Sequence, residues 1–411
     1  MAARGGLTDG VEQAVAAAFR EEWGRVVATL IRMTGDWDFA EECAQEAFAR
    51  ALERWPDAGV PRRPGAWLTT TARNHALNRI RRGATETEKL RELATMTGPQ
   101  EPPGPGGVPD DRLRLIFTCC HPALPIEARV ALTLRTLLGL TTGEIARAFL
   151  VAEPAMAQRL VRAKRKIRQA GIPYRVPAAH LLPERTASVL GVVYLLFNEG
   201  YAASEGADPV RVDLCAEAIR LARVLHGLMP GDPETAGLLA LLLLQDSRRA
   251  ARQDAAGDLV PLDEQDRERW DRRAIAEGVE LLDGALRRGT PGPYQVQAAI
   301  AACHANARTA AETDWPQIAA LYGRLEAMNP GPVVRLNRAV AVAMADGPRV
   351  GLALLDTIEG LDGYHLFPAT RADLLRRLGR NEEAAAAYRE ALGQARTEPD
   401  RRFLTRRLHE L

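Results

Sequence analysis

Residues 140–168 read LTTGEIARAFLVAEPAMAQRLVRAKRKIR and predict two short helices joined by a tight turn. Thr141 and Glu144 have the spacing of a capping box, which predicts the start of the first helix. In the second helix the apolar residues recur every three or four positions and therefore share one face. These residues are Met156, Leu160, Ala163 and Ile167. The second helix is thus predicted to bury one side.

The opposite face of this second helix is rich in positive charge. Six basic residues and no acidic one lie between Arg159 and Arg168. A helix with one buried face and with Gln and Arg on the other has the build of a helix that reads the DNA major groove. A lone basic helix is often only a solvated surface, but the preceding helix and turn favour DNA contact. The predicted DNA-binding residues are Ala155, Gln158, Arg159, Arg162, Arg165 and Lys166.

The composition limits the class of protein. The chain has 411 residues, a net charge of +1, 46% hydrophobic residues and only 5% aromatic residues, which predicts an all-α protein of several domains. Five scattered cysteines do not form a disulfide framework. The first ten residues lack the apolar segment of a signal peptide, and the longest apolar run, 236–244, is too short to span a bilayer. We therefore expect a cytoplasmic protein without a membrane partner.

Breaks in the helical pattern divide the chain. A first helical block ends near residue 82, and GPQEPPGPGGVP at 98–109 cannot hold a regular helix and predicts a flexible or extended linker. A second helical block follows, and long Ala- and Leu-rich amphipathic stretches begin at residue 178. The predicted domains are a helical domain at 1–85, a linker at 86–110, a helix-turn-helix domain at 111–172 and a helical domain at 173–411.

The last predicted domain carries signs of internal repeats. GRNEEAAAAYREALGQA at 379–395 places Ala384, Tyr388 and Ala391 at the offsets of the second helix of a tetratricopeptide-like hairpin. Residues 333–358 and 363–395 then form successive units, and a polar insertion at 253–273 interrupts the pattern upstream. Gly200, within LLFNEGYAAS at 195–204, predicts a helix end.

The first block contains a helix with an acidic face, DFAEECAQEAFARALERW at 38–55. Its predicted apolar stripe is Ala40, Cys43, Ala44, Ala47, Phe48, Ala51, Leu52 and Trp55. Glu42, Gln45, Glu46 and Glu53 lie opposite this stripe. By itself such a face is more typical of an ordinary solvated helix than of a binding site.

A second helix in this block, PGAWLTTTARNHALNRIRR at 64–82, presents Asn and Arg together. Leu68, Ala72, Ala76 and Ile80 can be buried. The polar face near Trp67 suits contacts to phosphates and to the exposed bases of a melted strand, although Arg also favours helix ends because of the helix dipole. The predicted DNA-binding residues here are Trp67, Arg73, Asn74, Asn78, Arg79, Arg81 and Arg82.

No motif indicates a metal, a cofactor or catalysis. Cys119-Cys120-His121 and Cys303-His304 do not have the spacing of a zinc site, so buried small residues are the simpler interpretation. The glycines at 104–107 lie among prolines and do not follow a strand, unlike those of a nucleotide-binding loop. We therefore predict that the protein is not an enzyme and that it needs no cofactor.

The order of these motifs resembles the extracytoplasmic-function (ECF) sigma factors of bacterial RNA polymerase. That family has an acidic stretch matched by residues 40–46, AEECAQE, and a W-L-x-x-x-A-R-N pattern matched by residues 67–74. It also has an E-I-A helix followed by a basic reading helix, matched by residues 144–168. Together the matches cover about residues 10–172, and the remainder resembles the ECF subgroup with a tetratricopeptide-like C-terminal extension.

The resemblance implies roles for these segments. The helix at 67–82 would hold the melted −10 promoter element, and the helix at 154–168 would read the −35 element. The implied partners are promoter DNA and core RNA polymerase, through its β′ clamp and β flap, and an unknown protein for the repeat domain. The implied polymerase-binding residues are Glu41, Glu42, Gln45 and Glu46.

A second hypothesis is a helix-turn-helix transcription regulator that acts without polymerase and carries a repeat scaffold. The acidic face of the 38–55 helix separates the two hypotheses, since only a polymerase-bound factor needs it.

Overall fold

The computed structural model describes residues 2–83, 111–149, 151–201, 212–254, 257–395 and 397–411. These residues form 18 α-helices, and within the same ranges β-structure is limited to one isolated bridge between Gln253 and Leu259. The prediction of an all-α fold is confirmed. The chain divides into two compact units, Met1–Val192 and Val193–Leu411.

The N-terminal unit contains seven helices and the first part of an eighth. They are α1 (Ala2–Thr34), α2 (Trp37–Ala58), α3 (Pro64–Gly83), α4 (Asp111–Cys119), α5 (Ile126–Leu137), α6 (Thr142–Ala148), α7 (Glu153–Gln169) and α8 (Leu182–Tyr201). The predicted linker at 86–110 lies outside the described residues, and so does Leu150, which falls between the two helices predicted in 140–168. The predicted boundaries at residues 85, 110 and 172 stay a prediction.

Local signals explain the start and end of α2. The Asp36 carboxylate caps its N-terminus by accepting hydrogen bonds from the backbone N–H groups of Asp38 and Phe39. Gly59, with φ of 77°, follows its last turn in a conformation that favours glycine. The predicted apolar stripe is buried with one exception: Leu52 is 47% exposed. The prediction was therefore wrong for Leu52, which does not belong to the buried face of α2.

An aromatic cluster forms the core between the first and second helical blocks. Trp23 of α1 is only 1% exposed and lies 4.9 Å from Phe19 and 6.0 Å from Phe48 between ring centroids. Gly139, after α5, has φ of 77°, and a Cβ added there would come within 2.7 Å of the Phe19 ring. Only glycine fits at this position, and it lets the chain before α6 lie directly against α1.

The C-terminal unit contains the rest of α8 and ten further helices. They are α9 (Val212–Leu228), α10 (Pro233–Asp246), α11 (Arg272–Leu286), α12 (Pro293–Asn306), α13 (Trp315–Met328), α14 (Pro332–Asp346), α15 (Pro348–Leu355), α16 (Leu366–Arg377), α17 (Asn381–Gln394) and α18 (Glu398–His409). The polar insertion coincides with the long connection between α10 and α11.

Two pairs of helices near the C-terminus lie in the segments predicted as repeat units. The α14–α15 pair falls within 333–358 apart from its first residue, and the α16–α17 pair falls within 363–395. Ala384, Tyr388 and Ala391 of α17 are buried and belong to one apolar core with residues of α14 and α16. These small and aromatic positions therefore pack helix against helix, and their assignment to a tetratricopeptide-like repeat stays a prediction.

The predicted helix end at Gly200 lies one residue before Tyr201, the last residue of α8. Helix α8 continues through Gly200 to Tyr201, and Gly200 is buried against α9. A Cβ added to Gly200 would lie 2.7 Å from the backbone nitrogen of Cys215. The glycine therefore permits a close crossing of two helices, a tertiary requirement that a local pattern does not reveal.

Candidate nucleic-acid interface

The α6–α7 pair has the predicted helix-turn-helix form. The Thr141 hydroxyl accepts a hydrogen bond from the Glu144 N–H at 3.2 Å, and the Thr141 N–H donates to the Glu144 carboxylate at 2.7 Å. This reciprocal pair is the capping box predicted for α6. Pro154 lies in the first turn of α7, where its missing N–H costs no helical hydrogen bond.

Helix α7 has one buried and one exposed face. The four predicted apolar residues, Met156, Leu160, Ala163 and Ile167, are all buried, which confirms the predicted register. Of the six residues predicted to bind DNA, only Arg159 is partly buried. The exposed ones are Ala155, Gln158, Arg162, Arg165 and Lys166. The structure therefore presents these side chains at the surface, and their contact with DNA stays a prediction.

Two surface features near α7 were missed by the sequence analysis. Val161 is 63% exposed beside the basic side chains, although an apolar residue in a helix is usually assigned to the core. A groove also runs between α7 and the start of α5, lined by Pro125, Ala128, Arg162 and Lys166 among others. No signal local to α7 could have indicated that α5 contributes to this surface.

Helix α3 also presents its predicted polar face. Leu68, Ala72 and Ala76 are buried and Ile80 is partly buried. Trp67 is half-buried and lies edge-on to Trp55, with 5.6 Å between ring centroids. Part of the Trp67 ring therefore supports the fold and only the rest can meet a ligand. The exposed residues are Arg73, Asn74, Asn78, Arg79, Arg81 and Arg82.

The acidic face of α2 differs from the prediction at Glu41. Glu41 is 5% exposed, because positions 41, 44 and 48 share the buried face of the helix. Its carboxylate accepts from Lys164 Nζ at 2.8 Å and from Arg135 Nε at 2.9 Å. Lys164, one of the six basic residues of α7, is itself 7% exposed and faces inward. Glu41 is thus not part of an open acidic surface.

The remaining acidic side chains of α2 stay near the surface. Glu42 and Gln45 are exposed and Glu46 is half-buried. Arg79 of α3 donates to Glu42 at 2.6 Å, and this hydrogen bond raises the pKa of Arg79 above its usual value. Arg50 donates to Glu46 at 2.9 Å. Exposed pairs of this kind contribute little to stability, so a ligand can replace them at low cost.

The capping box makes the stability of the N-terminal unit depend on pH. Hydrogen bonds from the Thr141 backbone and side chain hold the pKa of Glu144 below its usual value. A carboxylate whose pKa is lower in the folded chain than in the unfolded chain stabilises the fold at pH values above its unfolded pKa of about 4.3. This stabilisation is lost as the pH falls through the pKa that the carboxylate has in the folded chain. We expect Glu144→Gln to destabilise the unit by up to about 1 kcal/mol at pH 7. The destabilisation caused by Glu144→Gln should become smaller below about pH 4.

Urea unfolding of the wild-type chain and of the Glu144→Gln variant at several pH values measures the difference in their free energy of unfolding. A difference that does not change between pH 7 and pH 3.5 would contradict the stabilising role of the Glu144 carboxylate in the capping box. Glu153→Gln, on an exposed carboxylate in the first turn of α7, serves as the control.

The cysteines of the N-terminal unit are structural. Cys119 and Cys120 are buried within hydrogen-bonding distance of the Thr136 and Thr133 hydroxyls. Burial raises the pKa of Cys120 to about 11 and raises the pKa of Cys119 further, which keeps both thiols protonated at neutral pH. Within the described ranges, His, Cys, Asp and Glu residues do not gather in threes that could hold a metal ion.

Among the helices that the structure describes, none is both long and apolar enough to cross a membrane.

Family models match three segments of the chain. Residues 19–86 match Sigma-70 region 2, which includes α2 and α3, and residues 114–167 match Sigma-70, region 4, which includes α6 and most of α7. Residues 185–286 match a family of unknown function, DUF6596. No solved structure matches the chain.

Two relatives extend the comparison. The chain is 45% identical over 394 residues to the uncharacterized protein R00370 of Rhizobium meliloti (strain 1021), covering 94% of this chain and 93% of that one. It is 29% identical over 177 residues to the probable ECF RNA polymerase sigma factor SigI of Mycobacterium tuberculosis, covering 42% of this chain and 60% of SigI. With region 2 and region 4 in their expected order and a helical region after them, the chain belongs to the ECF sigma factors of bacterial RNA polymerase and carries a C-terminal extension.

Proposed function

We propose that the chain binds core RNA polymerase through α2 and directs it to specific promoters. In this proposal α3 holds the melted −10 element, and α7 reads the −35 element in the major groove. The observation that carries it is the exposed face of α7, where Gln158, Arg162 and Arg165 project from a helix whose opposite face is buried. Such a face can contact base edges and phosphates together.

In this function the chain itself makes and breaks no covalent bond. Polymerase catalyses synthesis, and the sigma factor supplies two DNA-reading surfaces. Each surface alone would bind weakly, but both act at high effective concentration when polymerase holds them. Unpaired bases that contact α3 shift the promoter toward its open form, and the arginines of both helices add salt-dependent affinity.

We also propose that the C-terminal unit regulates initiation or binds a protein partner. Its support is the series of packed helical hairpins from α14 to α17, since such arrays commonly present binding surfaces. The first part of α8 belongs with the N-terminal unit: Ser188 donates to the Cys120 carbonyl at 3.0 Å, and Arg129 donates to Ser188 at 3.0 Å. A truncation that measures the effect of the C-terminal unit should therefore end no earlier than Val192.

Transcription by purified core polymerase tests the main proposal. The full-length chain and a library of random promoter DNA are incubated with polymerase, and bound sequences are selected and assayed for initiation. Transcripts that begin at a defined distance from two selected motifs support the proposal. If the chain binds DNA but neither binds polymerase nor starts transcripts, the polymerase-independent regulator is the better explanation.

Charge reversal on α2 distinguishes a sigma factor from a polymerase-independent regulator. We expect the double variant Glu42→Arg, Glu46→Arg to bind core polymerase about 10- to 100-fold more weakly, because like charges at an interface repel and the complementary field is lost. Fluorescence anisotropy of the labelled chain measures the affinity. Glu53→Arg, which changes an exposed carboxylate on the same helix, is the matched control. Unchanged affinity in the double variant would remove α2 from the proposed polymerase interface.

A further inference from the structure

Two arginines of the C-terminal unit lie against the same aromatic ring. Arg252 Cζ lies 3.7 Å from the centroid of the Tyr201 ring, and Arg248 Cζ lies 5.9 Å from it. Tyr201 ends α8, whereas both arginines follow α10, so segments distant in the chain bring the two charges together. We refer to Arg248 and Arg252 as the arginine pair.

The arginine pair has no acidic partner among the residues that the structure describes. Arg252 donates to the backbone carbonyl of Tyr201, and Arg248 donates to an amide side chain, but neither forms an ion pair with a described carboxylate. Other partly buried arginines of this unit do form such pairs, as Arg338 does with Glu326 at 2.6 Å. The two positive charges of the arginine pair are therefore not neutralised by the described part of the fold.

Most hydrogen-bond donors of the arginine pair are also unused. A guanidinium group has five N–H donors, and each member of the pair gives one nitrogen to a described acceptor. By contrast, the nearby Arg267 donates to three oxygens. Neither Arg248 nor Arg252 has a fully buried nitrogen without a partner, so their free nitrogens still reach solvent. Carboxylate and phosphate oxygens can bind such groups with two parallel hydrogen bonds.

Partial burial makes these two charges costly when no anion is bound. Both arginines are partly buried. Burial lowers the pKa of Arg252, and the like charge of Arg248 contributes to the decrease. A charge that is withdrawn from water needs an opposite charge or several hydrogen bonds in return. An anion shared by the two guanidinium groups would supply both and would offset their mutual repulsion.

Two uncharged side chains lie near the arginine pair. Burial and the positive charges of Arg248 and Arg267 lower the pKa of His304 to about 4, so its imidazole is neutral at neutral pH. Burial raises the pKa of Tyr322 to about 12, and Arg248 is near enough to oppose that rise. The Tyr322 hydroxyl makes no hydrogen bond with a described residue, so it is a free donor beside Arg248.

We propose that Arg248 and Arg252, with the Tyr322 hydroxyl beside them, bind a small anion that carries a carboxylate or phosphate group. A small anion fits this place better than an acidic segment of a protein, because the arginine pair is partly buried among residues of α8, α12 and α13. These helices are not those that we propose to contact polymerase or promoter DNA. The anion site is therefore independent of the proposed function.

Titration calorimetry on the full chain tests the site with two probes, inorganic phosphate and succinate, at constant ionic strength. Two charge-assisted contacts correspond to a dissociation constant of about 1 mM, so we expect the wild-type chain to bind at least one probe when it is titrated to about 20 mM. The probe that binds more tightly identifies the anion as a phosphate or a carboxylate. A peptide of glutamate residues is titrated in parallel to detect a preference for acidic protein segments.

Three variants assign the binding to these residues. Arg248→Gln and, independently, Arg252→Gln should weaken binding of the probe by about 10- to 100-fold, because each removes a charged donor. Tyr322→Phe removes only a hydroxyl that has no described partner, so it should weaken binding by about fivefold and leave the urea unfolding midpoint unchanged. Arg269→Gln makes the same charge change on an exposed residue of this unit and should bind as the wild type does. Circular dichroism establishes that each variant is folded.

Binding of phosphate or succinate that is weakened by Arg248→Gln and Tyr322→Phe but not by Arg269→Gln supports the proposal. Equal binding by the wild type and these two variants would place the probe elsewhere and overturn it. The proposal also fails if neither probe binds by about 20 mM. Binding of the glutamate peptide without binding of either small anion would likewise overturn it, and would favour an acidic protein segment at the arginine pair.

Discussion

Reversing two charges on the outer face of α7 should nearly abolish sequence-specific DNA binding. We expect the double variant Arg162→Glu, Arg165→Glu to weaken binding of polymerase-bound sigma factor to its selected −35 duplex by roughly a thousandfold. A lost arginine contact costs about 1–3 kcal/mol, and the new carboxylates also repel phosphates. Both side chains are exposed and neither contributes to the buried face of α7, so the fold should survive.

Salt dependence strengthens this test. Binding is measured by anisotropy between 50 and 300 mM salt, where the loss of about two phosphate contacts should reduce the logarithmic salt slope by about 2. The control is Arg308→Glu, Arg324→Glu, which makes the same charge change on exposed residues of the C-terminal unit. If the control lost as much affinity as the α7 variant, net charge rather than α7 would explain the binding. Equal binding by the α7 variant and wild type would disprove the assignment of α7.

The second large effect concerns the core of the N-terminal unit. Trp23→Ala should lower the free energy of unfolding of this unit by about 3–5 kcal/mol, the usual cost of removing a large buried aromatic side chain. Trp23 is 1% exposed and contacts both Phe19 and Phe48. Its ring also lies against Gly139, so the cavity would loosen the packing of α1 on the segment that leads to α6.

Urea unfolding followed by circular dichroism measures this loss, with the two units analysed as separate transitions because a chain of several domains is not two-state. Trp315→Ala, in the C-terminal unit, should move the other transition and leave that of the N-terminal unit in place. A Trp23→Ala penalty below about 1 kcal/mol would show that the site collapses around the smaller side chain. In that case the aromatic cluster is not the main support of the unit.

Features that depend on residues close together in the chain were predictable. The capping box at Thr141 and Glu144 and the buried face of α7 follow from helical periodicity, which three or four neighbouring positions define. The same helical periodicity, in two successive segments, predicts the helices within 333–358 and 363–395. The polar face of α3 was also predictable, because Asn and Arg on one side of an amphipathic helix are rarely buried.

Features that depend on which helices meet could not be predicted. Glu41 and Lys164 each look like surface charges in their own helix, and each is buried because the other, 123 positions away in the chain, neutralises it. Leu52 looks like core and is exposed because no described helix covers it. Gly200, predicted only as a helix end, is also a point where two helices cross, since only a glycine lets α9 approach so closely.

The amino-acid sequence by itself therefore determined the helices, their amphipathic faces and the family of this protein, because periodicity, capping and motif order are local properties. Only the tertiary structure decided that the Glu41 carboxylate of the acidic helix α2 pairs with Lys164 of α7. A charge is buried only when a partner from elsewhere in the chain offsets its desolvation, and helical periodicity contains no information about that partner.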